Sequence, residues 1–475
     1  MTDTRTINAP QLSTFEQQKE ATAKQKVHVW PMLFVFVMAM PFVINLGTLH
    51  LTPYRLFLFA MFFPAVIGWM FSKAGAKRTA DYYIIAYTIW VQIAIVGADG
   101  FDVSIEPIGI AAIESMGAYF LGRTFIRSQY QFRSFIKTFL FVLVCLLPLA
   151  IAEALTRRTI ALDLMGKILK TLPGAQLDNP GRLGMRRAQV TFEHPILYGL
   201  YATYGFSLAT YGLERGLVSV KSGFRGVLAA FCVFFSLSTG AFLVVATQIL
   251  LSGWEIFTRT VKSRWKIIIS GFVIVFVTID VLSDRTPFQV FISYLTFDQS
   301  TSYYRVLIFR YGMEQIWRTP VFGIGFTGDW ERPFYMQASM DNYWLLLAVR
   351  HGIMAFVLFL VAVIYILRDI GRAQLHTQEL KNIRYAWMFC IISMFVGICT
   401  VHLWGATYVL FMFMLGAGMW LADAHDQESA TDLVSETATS TETVKTKKGN
   451  FRPAAKPGVR PEGSRPATRQ VYPAS

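Results

Sequence analysis

Residues 224–257 read FRGVLAAFCVFFSLSTGAFLVVATQILLSGWEIF. As one helix this run of about 34 residues would extend ~51 Å, far beyond a hydrocarbon core of ~30 Å. Broken near Ser238-Thr239-Gly240 it becomes two spans, since Ser and Thr favour a helix N-cap and Gly weakens a helix interior. The choice sets the side of the membrane on which every later loop falls.

Taking the break, apolar runs lie at roughly 30–47, 53–71, 81–98, 105–122, 135–153, 195–213, 224–238, 240–257, 265–283, 342–367, 385–402 and 406–421, which makes about twelve spans. Charge supports the count. With the amino terminus inside, the inner loops hold Lys73, Lys77, Arg78, Arg123, Arg127, Arg133, Arg215, Lys221, Arg225, Arg259, Lys262, Arg264, Arg368, Arg372, Lys381 and Arg384. The short outer loops near 48–52, 99–104, 239 and 403–405 hold no Lys or Arg. That is the positive-inside pattern, and it fails if 224–257 is one span. The expectation is an all-α polytopic membrane protein with both termini in the cytoplasm.

Composition agrees. The chain of 475 residues is 54% hydrophobic and only 16% charged, where soluble domains carry about 25% charge. Its net charge of +14 fits inner loops and tail rather than a nucleic-acid partner. Residues 1–28 are polar, and no cleavable signal peptide is expected. The tail, 422–475, is Thr/Ser/Glu-rich and then basic and Pro-rich, the composition of a disordered segment. Cys145, Cys232, Cys390 and Cys399 all fall in apolar runs, with no disulfide framework or metal spacing. Walker, dinucleotide and HExxH motifs are missing, so neither a nucleotide nor a metal cofactor is expected.

Within the membrane domain, 29–421, two outer loops are long, about 154–194 and 284–341, and loops of that length are usually functional. The first carries the apolar stripe Ile160, Leu164, Met165, Ile168, Leu169 and Leu172, which predicts a short helix on the membrane surface. The second is expected to be helical over about Ser302 to Arg318, stopped by Thr319-Pro320. Arg157, Arg158, Arg182, Arg186 and Arg187 lie in the first, and Arg285, Arg305, Arg310, Arg318 and Arg332 in the second. A guanidinium is a planar fork that binds phosphate bidentately. Ion pairing with Asp284, Asp298, Glu314, Asp329, Glu331 and Asp341 is the alternative for each of them. Two ionisable residues fall inside spans, ~12–14 Å deep at 1.5 Å per residue, and intramembrane charges pair or line cavities. Glu114 and Arg350 are therefore expected to pair and support an outer pocket. His194, before Pro195, is either an interfacial structural residue or a general base.

Ser302-Tyr303-Tyr304-Arg305, Trp317, the turn Thr319-Pro320-Val321-Phe322-Gly323-Ile324-Gly325-Phe326, then Asp341-Asn342-Tyr343-Trp344-Leu345 and Gly352-Ile353 resemble the O-antigen ligase and polymerase family. Phe192-Glu193-His194-Pro195 and Ser236-Leu237-Ser238-Thr239-Gly240-Ala241 fall where that family has recurring signatures, so the resemblance covers about 190–420. It implies glycan transfer from an undecaprenyl-pyrophosphate-linked donor at the outer face of a bacterial inner membrane, without metal. It also implies a flippase and a chain-length regulator of the same pathway as partners. Arg305, Arg285, Arg310, Arg187 and Asn342 become substrate-binding candidates, and Asp341 and His194 candidate bases. The chain departs from the family at Thr239, where an arginine is usual, and at Asp341, where a histidine precedes the Asn. Both departures favour a repeat-unit polymerase of exopolysaccharide or O-antigen over a ligase. A polysaccharide-related transporter is the other alternative; major-facilitator carriers have a long central cytoplasmic loop and internal repeats, and neither is visible here.

Overall fold

A computed structural model describes residues 28–46, 49–171, 182–284, 286–287, 289–290 and 299–424. The described residues are almost wholly helical, and seven helices are long and apolar enough to cross a membrane. These are α2 (Pro53–Met70), α3 (Thr79–Asp99), α6 (Gln129–Thr156), α10 (Thr239–Phe257), α11 (Arg264–Leu282), α13 (Tyr343–Arg372) and the apolar helix Gly405–Ala424, which opens with α15 (Gly405–Gly418). Shorter helices are α1 (Trp30–Met38), α4 (Phe101–Ala112), α5 (Ala118–Phe125), α7 (Ile160–Gly166), α8 (Pro195–Ser207), α9 (Val220–Phe234), α12 (Gln299–Arg318) and α14 (Gln378–Gly397). Alpha-4 and α5 are one continuous rod joined by a π turn at Ile113–Gly117, and a second π turn, Leu208–Gly212, extends α8.

The break near Ser238 is real. Helix α9 stops at Phe234, Leu237 takes a left-handed φ of 44°, and the Ser238 hydroxyl accepts from Ala241 N to cap α10. The first expected span, 30–47, is not one continuous helix. Alpha-1 ends at Met38, and a hairpin follows, with β1 (Ile44–Leu46) antiparallel to β2 (Leu49–Leu51). Pro41 accounts for this, since it lacks an N–H and biases Met40 away from helix. The surface helix is shorter than expected, at Ile160–Gly166, and leaves Leu164, Ile168 and Leu169 exposed. The expected helix in the second loop is α12, and it does stop at Thr319-Pro320.

The core sits around α15, every residue of which is buried except Gly405 and Tyr408, which are half-buried. Its packing against α5 depends on glycine. A Cβ on Gly122 would meet Phe413 O and Ala417 N, and one on Gly416 would meet Tyr119 O. Small residues let two backbones approach this closely.

At one end of the bundle these same helices share a buried charge cluster. The Asp81 carboxylate accepts from Trp69 Nε1 at 3.0 Å, Tyr119 OH at 2.6 Å and Arg123 Nε at 3.3 Å. Arg123, fully buried, also donates to Ala74 O, Ala76 O and Asp423, and Asp423 pairs with Arg78 and Arg127, each at 2.8 Å. Helix α6 runs about 42 Å from beside this cluster to the opposite end, where Glu153 accepts from Gln189 N and Val190 N.

At that opposite end the 320–326 turn docks onto a break in α13. Gly352 has φ 79°, inside what is otherwise a single helix. Ile324 N donates to Val349 O at 2.9 Å, Gly325 N to Arg350 O at 3.0 Å and Ile353 N to Pro320 O at 2.9 Å. A side chain at 352 would occupy the place of Val321 O. Gly323 and Gly325 have φ of 71° and 72°, the left-handed region that favours Gly.

Arg123→Ala leaves Asp81 and Asp423 buried with a partner lost, and should cost about 3–5 kcal/mol; thermal unfolding of the purified protein checks this. Gly352→Ala should undock the turn and lower yield and melting temperature. An alanine variant melting with wild type would show that the turn is not held by this contact.

Candidate active site

The loop before α8 is pinned on both sides. Arg186 N donates to Ala154 O at 3.1 Å, and Ala188 N to Phe235 O at 2.8 Å. Arg187 lies between these two bonds, and its Nε donates to Ser236 O at 3.3 Å. Arg182 reaches the same turn, donating to Leu237 O at 2.8 Å and to Thr239 Oγ1 at 3.1 Å. The break at 235–238 therefore gathers two guanidiniums.

A third arrives on α12. The buried face of that helix carries Arg305, Ile308, Gly312 and Gln315–Ile316, and it packs on Leu345, Ala348 and Val349 of α13. Gly312 permits the approach, as a Cβ there would come within 2.5 Å of Leu345. Arg305 on this face is only 7% exposed, and its Nε and one terminal nitrogen have no hydrogen-bond partner among the described residues. Arg310, five residues on and so about 140° around the helix, points away. It is exposed and pairs with Glu314 at 3.5 Å.

Asp341 closes the cluster from the start of α13. Burial raises its pKa, against the pull of Arg305 and then Arg187. Burial lowers Arg187 to about 10, with Arg182 adding to the shift and Asp341 opposing it. Arg305 is lowered by burial too, and by Arg182. Arg305 and Arg187 both act on the one carboxylate, and the more exposed Arg182 acts on each of them, so guanidiniums outnumber carboxylates here and an anion would relieve the excess. Asn342 is buried, and its Oδ1 accepts from Leu345 N to cap α13, which fixes Asp341 at the helix entrance.

His194 caps α8. Its Nδ1 accepts from Ile196 N at 3.1 Å, so the proton of the neutral ring sits on Nε2. Burial, with the Arg187 charge, lowers its pKa to about 4. In this state it is a donor at neutral pH, with its basic nitrogen occupied. Glu193, beside it, has its pKa raised by burial and accepts from Trp404 Nε1 at 3.3 Å.

The expected pairing of Glu114 with Arg350 is corrected. Glu114 pairs with Arg55 at 2.7 Å. Arg350 instead donates to the carbonyls of Gly325, Phe326 and Gly328, at 3.0, 2.9 and 2.8 Å. Asp99 holds the same turn from the other side through Phe326 N and Thr327. Glu114 and Arg350 do line one cavity. The break at Gly352 explains the outcome, because it commits Arg350 to the docked turn. Arg285 lies outside the described residues.

Sequence reasoning missed Arg182 as a site residue and Arg55 as a partner. No spacing marks Arg182, whereas Arg55, near the outer end of a span, is a charge whose partner could have been sought. Among the described residues no group of His, Cys, Asp and Glu could hold a metal ion.

A comparison with curated proteins finds no match. Residues 225–360 match the family described as O-Antigen ligase (Wzy_C), a stretch that takes in the 235–238 break, Arg305, the docked turn, Asp341 and Gly352. Residues 225–360 are thus a domain of the O-antigen ligase family, whose members are ligase- and polymerase-type membrane proteins of polysaccharide synthesis.

Proposed function

We propose that this protein polymerises undecaprenyl-pyrophosphate-linked oligosaccharide repeat units of an exopolysaccharide or O-antigen. One observation carries the reading: the buried, incompletely partnered Arg305 and Arg187 face Asp341, with Arg182 beside both arginines. The donor pyrophosphate takes the excess positive charge. The acceptor hydroxyl attacks the anomeric carbon, the bond from that carbon to the pyrophosphate oxygen breaks, and Asp341 takes the hydroxyl proton. The guanidiniums stabilise the charge growing on the leaving pyrophosphate. Arg182, bonded to Thr239, brings a guanidinium to the position where the family usually has an arginine. Ligation to a lipid A core would use the same donor chemistry and differ in the acceptor.

The arrangement in the membrane follows from charge. About twelve spans with both termini in the cytoplasm put the Arg123 cluster and the Lys/Arg-rich loops inside. The arginine site then faces the periplasm, where the lipid-linked repeat is displayed. Flippase and chain-length regulator are the expected partners.

A deletion strain complemented with Arg305→Ala should lose long-chain glycan while single repeat units still accumulate on the carrier; normal polymer lengths would count against the proposal. Asp341→Asn should lower turnover about 10²–10⁴-fold, the usual share of general-base catalysis. For the wild type, turnover should fall as Asp341 protonates in acid, with the limb displaced upward from an ordinary aspartate because burial raises its pKa. His194→Asn retains a capping side chain and should stay active, whereas His194→Ala should lose about 0.5–2 kcal/mol of stability. A dead but well-folded Asn variant would make His194 the base instead.

A further inference from the structure

A half-open cavity of about 660 Å³ lies beside the arginine site, lined by α2, α3, α4, α13 and the start of α15. That size falls in the roughly 300–1,000 Å³ range of small-molecule sites. Its wall includes a ladder of rings. Tyr343 and His402 stack at 6.4 Å and 20°, and His402 and Trp404 at 5.0 Å and 16°. Trp404, on the cavity wall, lies 6.0 Å from the ring of His194.

The polar atoms of the wall divide into two kinds. Some are committed to the protein: Glu114 to Arg55, and Arg350 to its three carbonyls. One is open: Glu193 gives one oxygen to Trp404, and its other has no hydrogen-bond partner among the described residues. The Nδ1 atoms of His351 and His402 also lack a partner among them, but both are covered by the protein.

A hydrocarbon chain would leave the Glu193 oxygen unmet, at a cost that native structures avoid. An anion would meet three carboxylates, Glu106, Glu114 and Glu193, against two guanidiniums, Arg55 and Arg350, both already bonded to the protein. What fits is a neutral ligand with apolar faces for the rings and hydroxyl groups for the carboxylate. That is a carbohydrate.

We infer that this cavity seats the sugar rings of the acceptor glycan, with Trp404 as the stacking platform and Glu193 as a hydroxyl acceptor. The assignment to the acceptor rests on the proposed polymerase reading. The donor is held by its pyrophosphate at the arginines, whereas here carboxylates outnumber guanidiniums and both guanidiniums are already bonded to the protein.

The test uses the full-length protein in lipid nanodiscs and two probes. One is undecaprenyl pyrophosphate without sugar. The other is the repeat oligosaccharide of the native polymer, freed from its carrier by mild acid. Trp404→Ala and Glu193→Gln should each weaken oligosaccharide binding by about tenfold, as for loss of one hydrogen bond to a charged group. Binding of undecaprenyl pyrophosphate should stay at the wild-type level, and Glu193→Gln, a near-isosteric change, should melt with wild type. Oligosaccharide binding equal to wild type in both variants would overturn the proposal. Equal loss of both probes would overturn the acceptor assignment. Wild type that binds the oligosaccharide through Trp404 and Glu193 but not undecaprenyl pyrophosphate would support the cavity and sink the polymerase reading.

Discussion

Where α13 breaks at Gly352, the backbone of another segment fills the space a side chain would need, and the site is built on that contact. The docked turn takes hydrogen bonds from and gives them to the broken helix, and Arg350 and Asp99 clamp it from two sides. The turn also fixes the end of α12, since Pro320 stops that helix and Thr319 N returns to Gln315 O. With α12 seated on the first turns of α13, Arg305 comes to face Asp341. A glycine without chemistry of its own thus sets the distance between the charged groups that have it.

The two ends of the bundle treat charge differently, and the contrast separates structure from function. Arg123 is as buried as a side chain can be, yet it spends its donors on two carbonyls and two carboxylates. Such a closed network fixes helix positions and leaves nothing for a ligand. Arg305 is nearly as buried, but two of its nitrogens lack partners and its neighbours include another guanidinium. A buried guanidinium with unmet donors opposes folding. Its persistence is understandable if an anion completes it.

The sequence was legible where one residue type decides local structure. Ser238 and the apolar run around it gave the break, and Pro320 gave the end of α12. Arg305 was also reachable, through its place in the Ser302–Arg305 motif. Faces and partners were less so. Arg310 belongs to the same helix as Arg305, and only packing of Gly312 on Leu345 shows which of the two turns inward. Depth along a span placed Glu114 and Arg350 at one level, but depth does not say which helices adjoin, and Arg55 was nearer. His194 read as either base or interfacial residue, because a capping bond on Nδ1 is visible only in three dimensions.

Asp341 is pulled in two directions, since burial favours its neutral form while Arg305 and Arg187 favour the carboxylate. Under the proposed function this balance changes when the donor arrives. A bound pyrophosphate neutralises the same guanidiniums that hold Asp341 ionised and adds negative charge beside it. Both effects make the carboxylate a stronger base while the reactive carbon is in place. Without donor the arginines keep Asp341 weakly basic, so a stray hydroxyl or water gains little activation. The arginine cluster would then have two roles with one physical origin: it receives the leaving group, and its neutralisation arms the base.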